Sequence, residues 1–387
     1  MTRETRMDSV QAPIVPVIGD LIREVPGTIS LGQGVVHYGP PQAAIDAVRA
    51  ALDVPSTHAY QDGAGLRELR ARLASKLAAE NGIDVKRGLG LIVTAGANMA
   101  FSHAVQAITK PGDEIILNAP YYFNHEMAIR IAGCAPVSVP TDDRYQPRVD
   151  ALKAAITGRT RAIVTVTPNN PSGAVYSEAS LRAIDALCRE RGIYHLCDET
   201  YEYFTYGSAR HFSCGSLPGA ERHTISMYSL SKAYGFAGWR IGYVAYPLHL
   251  EAAMVKIQDT VLICPTVASQ IAANAALEAG RAYCEPHVRE LATIRDIVMS
   301  QLATLAPLAR VPVADGAFYC LLKVDTSKDP MTIAERLIRE HRVGVLPGTA
   351  FGMTDGCYLR MAYGALQKAT VAEGTGRLVS GLRAILG

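Results

Sequence analysis

Between residues 42 and 52, and again between 66 and 80, Ala, Val, Ile and Leu recur at three- and four-residue intervals, the spacing of one face of an α-helix. The pattern then changes. Short apolar, β-branched runs near 91–94, 114–118, 136–139, 161–166, 193–197, 224–228 and 242–245 read as strands. Helix-period stretches near 97–109, 123–132, 150–156, 177–191 and 248–279 alternate with them. Such alternation predicts an α/β fold whose mainly parallel sheet is covered by helices on both faces, with ligands at the carboxyl ends of the strands. A helical region from 248 to about 306 is expected to break near Pro265 and Pro286. Beyond it, 311–313, 318–324, 343–346 and 357–362 read as strands, 331–341 as a helix, and a further helix closes the chain. Strict alternation is lost here, so a smaller α+β domain is expected. The stretch to about residue 29, with Pro13, Pro16 and Pro26, is poorly periodic and reads as an arm. The expected division is an N-terminal arm (1–40) joining the small domain, a large domain (41–285) and a small C-terminal domain (286–387).

Composition narrows the function classes. A chain of 387 residues is long for one core, and 49% hydrophobic with 19% charged residues is ordinary for a globular protein. A net charge of +2, with no basic run interleaved with aromatics, gives no electrostatic argument for nucleic acid. Four charges before position 9 and no apolar stretch behind them argue against a secretory signal, and no apolar run approaches the ~20 residues of a membrane span. Eight cysteines without a C-x-x-C pair read as reduced thiols of a cytoplasmic enzyme; no H-E-x-x-H or G-x-x-x-x-G-K is present, and no metal is expected.

The candidate chemistry centres on Ser229-Leu230-Ser231-Lys232-Ala233-Tyr234-Gly235-Phe236-Ala237-Gly238-Trp239-Arg240. Here a lysine follows a strand within a loop of small residues, and serines and an arginine flank it. Hydroxyls and a guanidinium suit a phosphate, and together with an exposed amine they suggest a Schiff base to pyridoxal phosphate. Ser229-Leu230-Ser231-Lys232 also fits the S-x-x-K of serine acyl-enzymes, but the companion S-D-N and K-T-G are absent. At Thr94-Ala95-Gly96-Ala97-Asn98, a strand turns into a helix whose free amides make an anion site. Asp198 puts a carboxylate at a strand end, where capping a helix is the alternative role.

The lysine segment resembles the signature of the class I/II aminotransferases, fold-type I enzymes that use pyridoxal 5'-phosphate. Further motifs follow that family's order from about Ser30 to Tyr363: Tyr60 with Gly65 and Leu69-Arg70, Pro120-Tyr121-Tyr122-Phe123-Asn124, Asn170-Pro171-Ser172-Gly173, Asp198-Glu199-Thr200-Tyr201 and the stretch around Arg360. The resemblance implies that Lys232 forms the Schiff base and moves the substrate's Cα proton. It implies that Asp198 holds the ring nitrogen's proton, with His125 bracing it, and that Tyr201 and Asn170 serve the ring's phenolic oxygen. Gly96, Ala97, Asn98, Ser229 and Arg240 would hold the phosphate, Tyr122 would stack on the ring, and Tyr60 would reach the phosphate of a neighbouring subunit. Gly34, Asn170 and Arg360 would take the substrate's α-carboxylate, with His37 and Tyr38 near its side chain.

The activity implied is ping-pong transfer of an amino group from an L-amino acid to a 2-oxo acid in a homodimer with shared active sites. The Gly32-Gln33-Gly34 loop and the lack of a clear second carboxylate-binding arginine lean toward aromatic, methionine or kynurenine-like substrates. A lyase of the same fold, such as a carbon–sulfur β-lyase or an aminocyclopropane-carboxylate synthase, would use the same Lys, Asp and Tyr. A non-catalytic sensor is the third reading.

Overall fold

The computed structural model describes residues 5–387. Thirteen strands run in chain order: β1 (Ile29–Ser30), β2 (Leu89–Thr94), β3 (Glu114–Ala119), β4 (Ala135–Pro140), β5 (Thr160–Val166), β6 (Tyr194–Asp198), β7 (Thr224–Ser229), β8 (Gly242–Pro247), β9 (Ala309–Arg310), β10 (Tyr319–Val324), β11 (Val343–Gly344), β12 (Leu346–Pro347) and β13 (Cys357–Ala362). Seven of them form one sheet in the order β2-β8-β7-β6-β5-β3-β4. Pairings from β4 through β7 are parallel, and only β8 runs against its neighbours β7 and β2.

The apolar run of β3 shows why this sheet is covered twice. Ile115 and Leu117 pack with Phe101, Ile129 and Met254 on one face, while Ile116 packs with Leu152, Ile184 and Leu187 on the other. Side chains alternate along a strand, so a continuous Ile-Ile-Leu needs an apolar layer on each side. Helices Ala97–Ile108, Phe123–Ile131 and Glu251–Val261 supply the first layer, and Val149–Ala155 and Glu178–Arg191 the second. Their ends carry ordinary stop and start signals. Ser177 accepts from the Ser180 amide at 3.1 Å, and Gly192 ends the same helix at φ 63°.

A second sheet, β12-β13-β10-β9, is antiparallel, and β1 pairs with β11 in a parallel two-stranded ladder. Helices Pro330–His341 and Lys368–Leu386 pack there, the first capped by Asp329 with Pro330 at its opening position.

Four expectations are corrected. The arm contains a helix, Ile14–Glu24; Pro13 is its N-cap and Pro16 lies in its first turn, where no intrahelical N–H is lost, Pro26 follows its C-cap, and Ile14, Ile18, Leu21 and Ile22 make an apolar face. The strand expected at 311–313 lies at Ala309–Arg310, where it pairs with Val324 and Lys323. The strand expected at 343–346 divides between two sheets at Val345, β11 pairing with β1 and β12 with β13. The long helical region does break before Val267, but Pro286 stays inside the helix Val267–Ala303; the interruption is at Gly280, with φ 63° and ψ −163°, a backbone region open to glycine. No helix of the described residues is long and apolar enough to cross a membrane.

Candidate active site

Where β5, β6 and β7 end, their following loops converge with the β2–helix turn on a cavity of about 410 Å³. Gln33 and Gly34 from the loop after β1, and Tyr319 and Arg360 from the antiparallel sheet, close its far side, with Pro13, Val15 and Pro16 of the arm.

Lys232 lies in the four-residue helix Leu230–Ala233, which Ser229 opens by accepting from the Ser231 amide at 3.1 Å. Its Nζ donates to the Gly34 carbonyl at 2.6 Å, and among the described residues no carboxylate lies within ion-pair reach. Enclosure by the cavity walls lowers its pKa to about 8; the Arg240 and Arg360 charges act the same way, and Asp198 opposes them. About a tenth of the amine is therefore neutral, and nucleophilic, at pH 7, far more than for an ordinary lysine.

Asp198, at the end of β6, is buried. Its Oδ2 lies 3.1 Å from His125 Nε2, and its Oδ1 accepts from the Thr200 amide at 3.0 Å. Burial pushes its carboxyl up, but the His125 bond and charge and the Thr200 bonds prevail and hold it below the ordinary value. His125 itself stacks on Phe101 with centroids 3.9 Å apart, which fixes the brace.

Arg360 is 2% exposed and has no acidic partner. Its Nη1 donates to Asn170 Oδ1 at 3.1 Å and its Nη2 to the Gly32 carbonyl at 2.5 Å, while its Nε has no partner. The guanidinium carbon sits 4.7 Å from the Tyr319 ring centre and 5.1 Å from that of Phe351. Burial lowers its pKa. A buried cation without an anion is costly, so such a site is built for an anionic guest.

Arg240 adopts a left-handed conformation (φ 55°) and is held by the Ala237 carbonyl at 2.8 Å, the Ser231 hydroxyl at 3.3 Å and the Ala95 carbonyl at 3.3 Å. Gly96 (φ 83°) is required opposite it, because a Cβ there would overlap the guanidinium. No side chain caps the helix beginning at Ala97, so the amides at its start remain free for an anion.

Of the residues singled out from sequence, Gly34, Ala97, Asn98, Tyr122, Asn170, Asp198, Tyr201, Ser229, Lys232, Arg240 and Arg360 all line this cavity. Gly96 stands just behind. Tyr60 does not line it; 78% exposed, it lies on the outer surface. His37 and Tyr38, expected at the substrate's side chain, do not line it either. Tyr38 stacks on His287 at 3.8 Å and donates to the Lys232 carbonyl at 3.1 Å, and His37 faces Glu290 at 3.4 Å. Sequence reasoning missed Tyr319, Thr200, Val166 and the arm residues. Tyr319 opens a strand that was recognised, and Thr200 sits inside a recognised motif, so position relative to strand ends was the available signal. His195, Cys197 and Cys214 bring ligand-type atoms within 4.8 Å of one another in the buried interior, and none lines the cavity.

The family "Aminotransferase class I and II" matches residues 26–378. The chain belongs to this family. The aminotransferase is 34% identical over 383 residues to the aromatic aminotransferase of Arabidopsis thaliana, with 97% of this chain and 94% of the relative covered. It is 36% identical over 352 residues to the aspartate/prephenate aminotransferase of Thermus thermophilus, covering 89% and 88%. The solved aromatic aminotransferase from Pyrococcus horikoshii superposes with a TM-score of 0.87 at 34% identity, over 95% of this chain and 99% of that one. It is thus a transaminase of amino acids that depends on pyridoxal phosphate.

The cavity fits that cofactor. Its free helix amides, hydroxyls and Arg240 suit a phosphate, and its one carboxylate, Asp198, stands apart from the three cations Lys232, Arg240 and Arg360. Among the described residues none of those cations has an acidic partner within 4.0 Å, so the cavity's positive charge matches a phosphate together with a substrate carboxylate.

Proposed function

We propose that the enzyme takes the amino group from an L-amino acid with an aromatic, methionine-like or kynurenine-like side chain and passes it to a 2-oxo acid in a ping-pong cycle. Ala97 and Asn98 amides, Ser229, Ser231 and Arg240 would hold the cofactor phosphate, and Tyr122 would stack on its ring. Asp198, kept charged by His125, would pair with the ring nitrogen, and Tyr201 and Asn170 would donate to the ring's oxygen. When bound, the cofactor draws electrons from the substrate's Cα and carries the amino group between the two halves of the reaction. With the cofactor bound, the Lys232 amine would be its point of attachment and, once freed, would take the Cα proton as a general base and return it as an acid. Arg360, with Asn170, clamps the α-carboxylate and thereby presents Cα to Lys232.

The observation that carries this reading is Arg360, a buried arginine without an acid at the edge of a cavity floored by an amine of lowered pKa. The side-chain preference follows from what remains. Once Lys232, Arg240 and Arg360 are assigned, no cation lines the cavity among the described residues, while Val15, Pro16, Val35 and Phe123 do. A second carboxylate would find no partner; an apolar side chain would.

Homodimerisation with shared sites is part of the proposal. Tyr60 (78% exposed), Leu52 (51%), Val54 (46%), Val261 (54%) and Ile263 (45%) are large apolar groups on the surface. The two stretches adjoin, since a Cβ on Gly63 would stand 2.9 Å from the Ile263 carbonyl. A patch of this kind suits a partner subunit, into whose cavity Tyr60 would reach. We also propose a cytoplasmic location, and an arm, large domain and small domain divided near residues 40 and 286.

A half-reaction screen tests the reading: the loaded enzyme is mixed with single amino acids while the cofactor's visible band and any 2-oxo acid are followed. Loss of the band with Phe, Tyr, Trp or Met, and none with Asp, is expected. Conversion by Asp alone would overturn the substrate class.

A further inference from the structure

Tyr319 enters none of the roles above, yet it is completely buried and touches both ends of the site. Its hydroxyl lies 2.7 Å from that of Tyr201, its only hydrogen-bond partner among the described residues, and its ring lies beneath the Arg360 guanidinium at 4.7 Å. Gly34 seals it from the third side, since a Cβ there would stand 2.6 Å from the Tyr319 hydroxyl. Phe318 packs edge-on against Tyr201 at 5.5 Å and holds the pair in place.

We propose that Tyr319 is a positioning residue that transmits the occupancy of the Arg360 carboxylate site to Tyr201, and through Tyr201 to the bound cofactor. The phenol protons set the direction of the relay. Each phenol has one, and a buried hydroxyl proton without an acceptor is costly. The Tyr319 proton can reach only the Tyr201 oxygen; donating there satisfies it and leaves the Tyr201 proton to point into the cavity. Acidity agrees with that direction. Burial raises Tyr319 to about 12, with Arg360 and the Tyr201 bond pulling it back, whereas burial and the Tyr319 neighbour drive Tyr201 well above its ordinary value.

The positive charge over its ring face makes Tyr319 a better donor, and hydrogen bonds in a chain strengthen one another, so Tyr201 donates more strongly to the group it faces. When a substrate carboxylate pairs with Arg360, that charge is neutralised. Tyr319 weakens as a donor, Tyr201 follows, and the nitrogen shared by Lys232 and the cofactor becomes more basic. Binding of the carboxylate thus readies the proton balance at the Lys232 side of the cavity.

The proposal rests on the reading of this cavity as the cofactor and carboxylate site, and one experiment separates the two. The pH midpoint of the cofactor's visible band is measured in the holoenzyme, with and without saturating 3-phenylpropionate, a carboxylate that has no amino group to transfer. In the parent the carboxylate should raise the midpoint. In Tyr319→Phe the midpoint without ligand should already be higher by about half a pH unit, the worth of one cooperative hydrogen bond, and the carboxylate should shift it less. Tyr201→Phe should raise it further, and adding Tyr319→Phe to that variant should do nothing more, because the relay is already cut. A midpoint and a carboxylate shift unchanged in Tyr319→Phe would overturn the relay while leaving the site assignment intact. Additive effects in the double variant would overturn it as well. No carboxylate shift in the parent would overturn the site reading itself.

Discussion

Two lysines sit among carboxylates, arginines and tyrosines in this molecule, and their surroundings differ completely. Lys76, on the helix Arg67–Asn81, donates to Glu202 at 2.5 Å and to Asn81 at 2.8 Å, has Glu80 at 3.8 Å, and lies 5.0 Å over the Tyr228 ring. The Asn81 amide in turn donates to Glu202 and Ser213. Every charge in this network is answered. Lys232 has one carbonyl for company and two arginines as electrostatic neighbours. A closed network stores its energy in the fold; an open one holds charge in readiness for a ligand. Burial alone does not separate the structural lysine from the chemical one, whereas the account of partners does.

The sharpest way to break the comparison is to delete each amine. Lys232→Ala should lower amino-group transfer by roughly 10⁴-fold, the upper range for a general base, and remove the cofactor's lysine-bound visible band. Persisting turnover would show that the open lysine is not the reactive one. Lys76→Met should do the reverse. It leaves the half-buried Glu202 without its cation, though still bonded to Asn81, and should cost about 2 kcal/mol of stability in urea unfolding, with kcat/KM per bound cofactor unchanged. Arg360→Ala removes the other partnerless cation and should lower kcat/KM by roughly 100-fold for every amino acid alike. A loss confined to dicarboxylates would contradict its assignment to the α-carboxylate.

A smaller effect sharpens the contrast through pH. The Lys232 pKa is depressed, so its neutral form grows as pH rises through about 8, well below the ordinary lysine range. Capture of pyridoxal phosphate by the cofactor-free protein should therefore accelerate roughly tenfold from pH 7 to 9 and then level off, followed by stopped-flow absorbance. A rate still climbing above pH 10 would place Lys232 among ordinary surface lysines.

Much of this was legible in the sequence, and the limits have physical causes. The doubly covered sheet followed from runs such as Ile115-Ile116-Leu117, which state their burial outright. Lys232, Asp198, Asn170 and Arg360 were found because each lies in a local motif at a strand end or on a strand. Tyr319 escaped although it opens a strand, because its place at the strand's start does not tell a core tyrosine from one bonded to Tyr201, 118 residues away in sequence. The arm helix was obscured by reading Pro13 and Pro16 as breakers when they stand where a helix begins. Pro286 misled in the opposite sense, for the chain interrupts the helix six residues earlier, at a glycine that no motif marks.

That glycine has a mechanical side. Before Gly280 the helix is fastened to the helix Arg67–Asn81 and its entry, through Asn274 with Arg72 at 2.9 Å and Gln270 with Leu66 at 2.7 Å. After it, Arg295 grips the Ala314 carbonyl at 2.5 Å and Met299 touches Cys320, beside the strand that carries Tyr319. The 37-residue rod is thus two struts sharing one joint, and the Cβ position of that joint meets nothing within 4 Å. Steric space is therefore not what reserves the position for glycine; the torsion is. Any other residue there would stiffen the coupling between the two sheets without touching a single atom of the catalytic cavity.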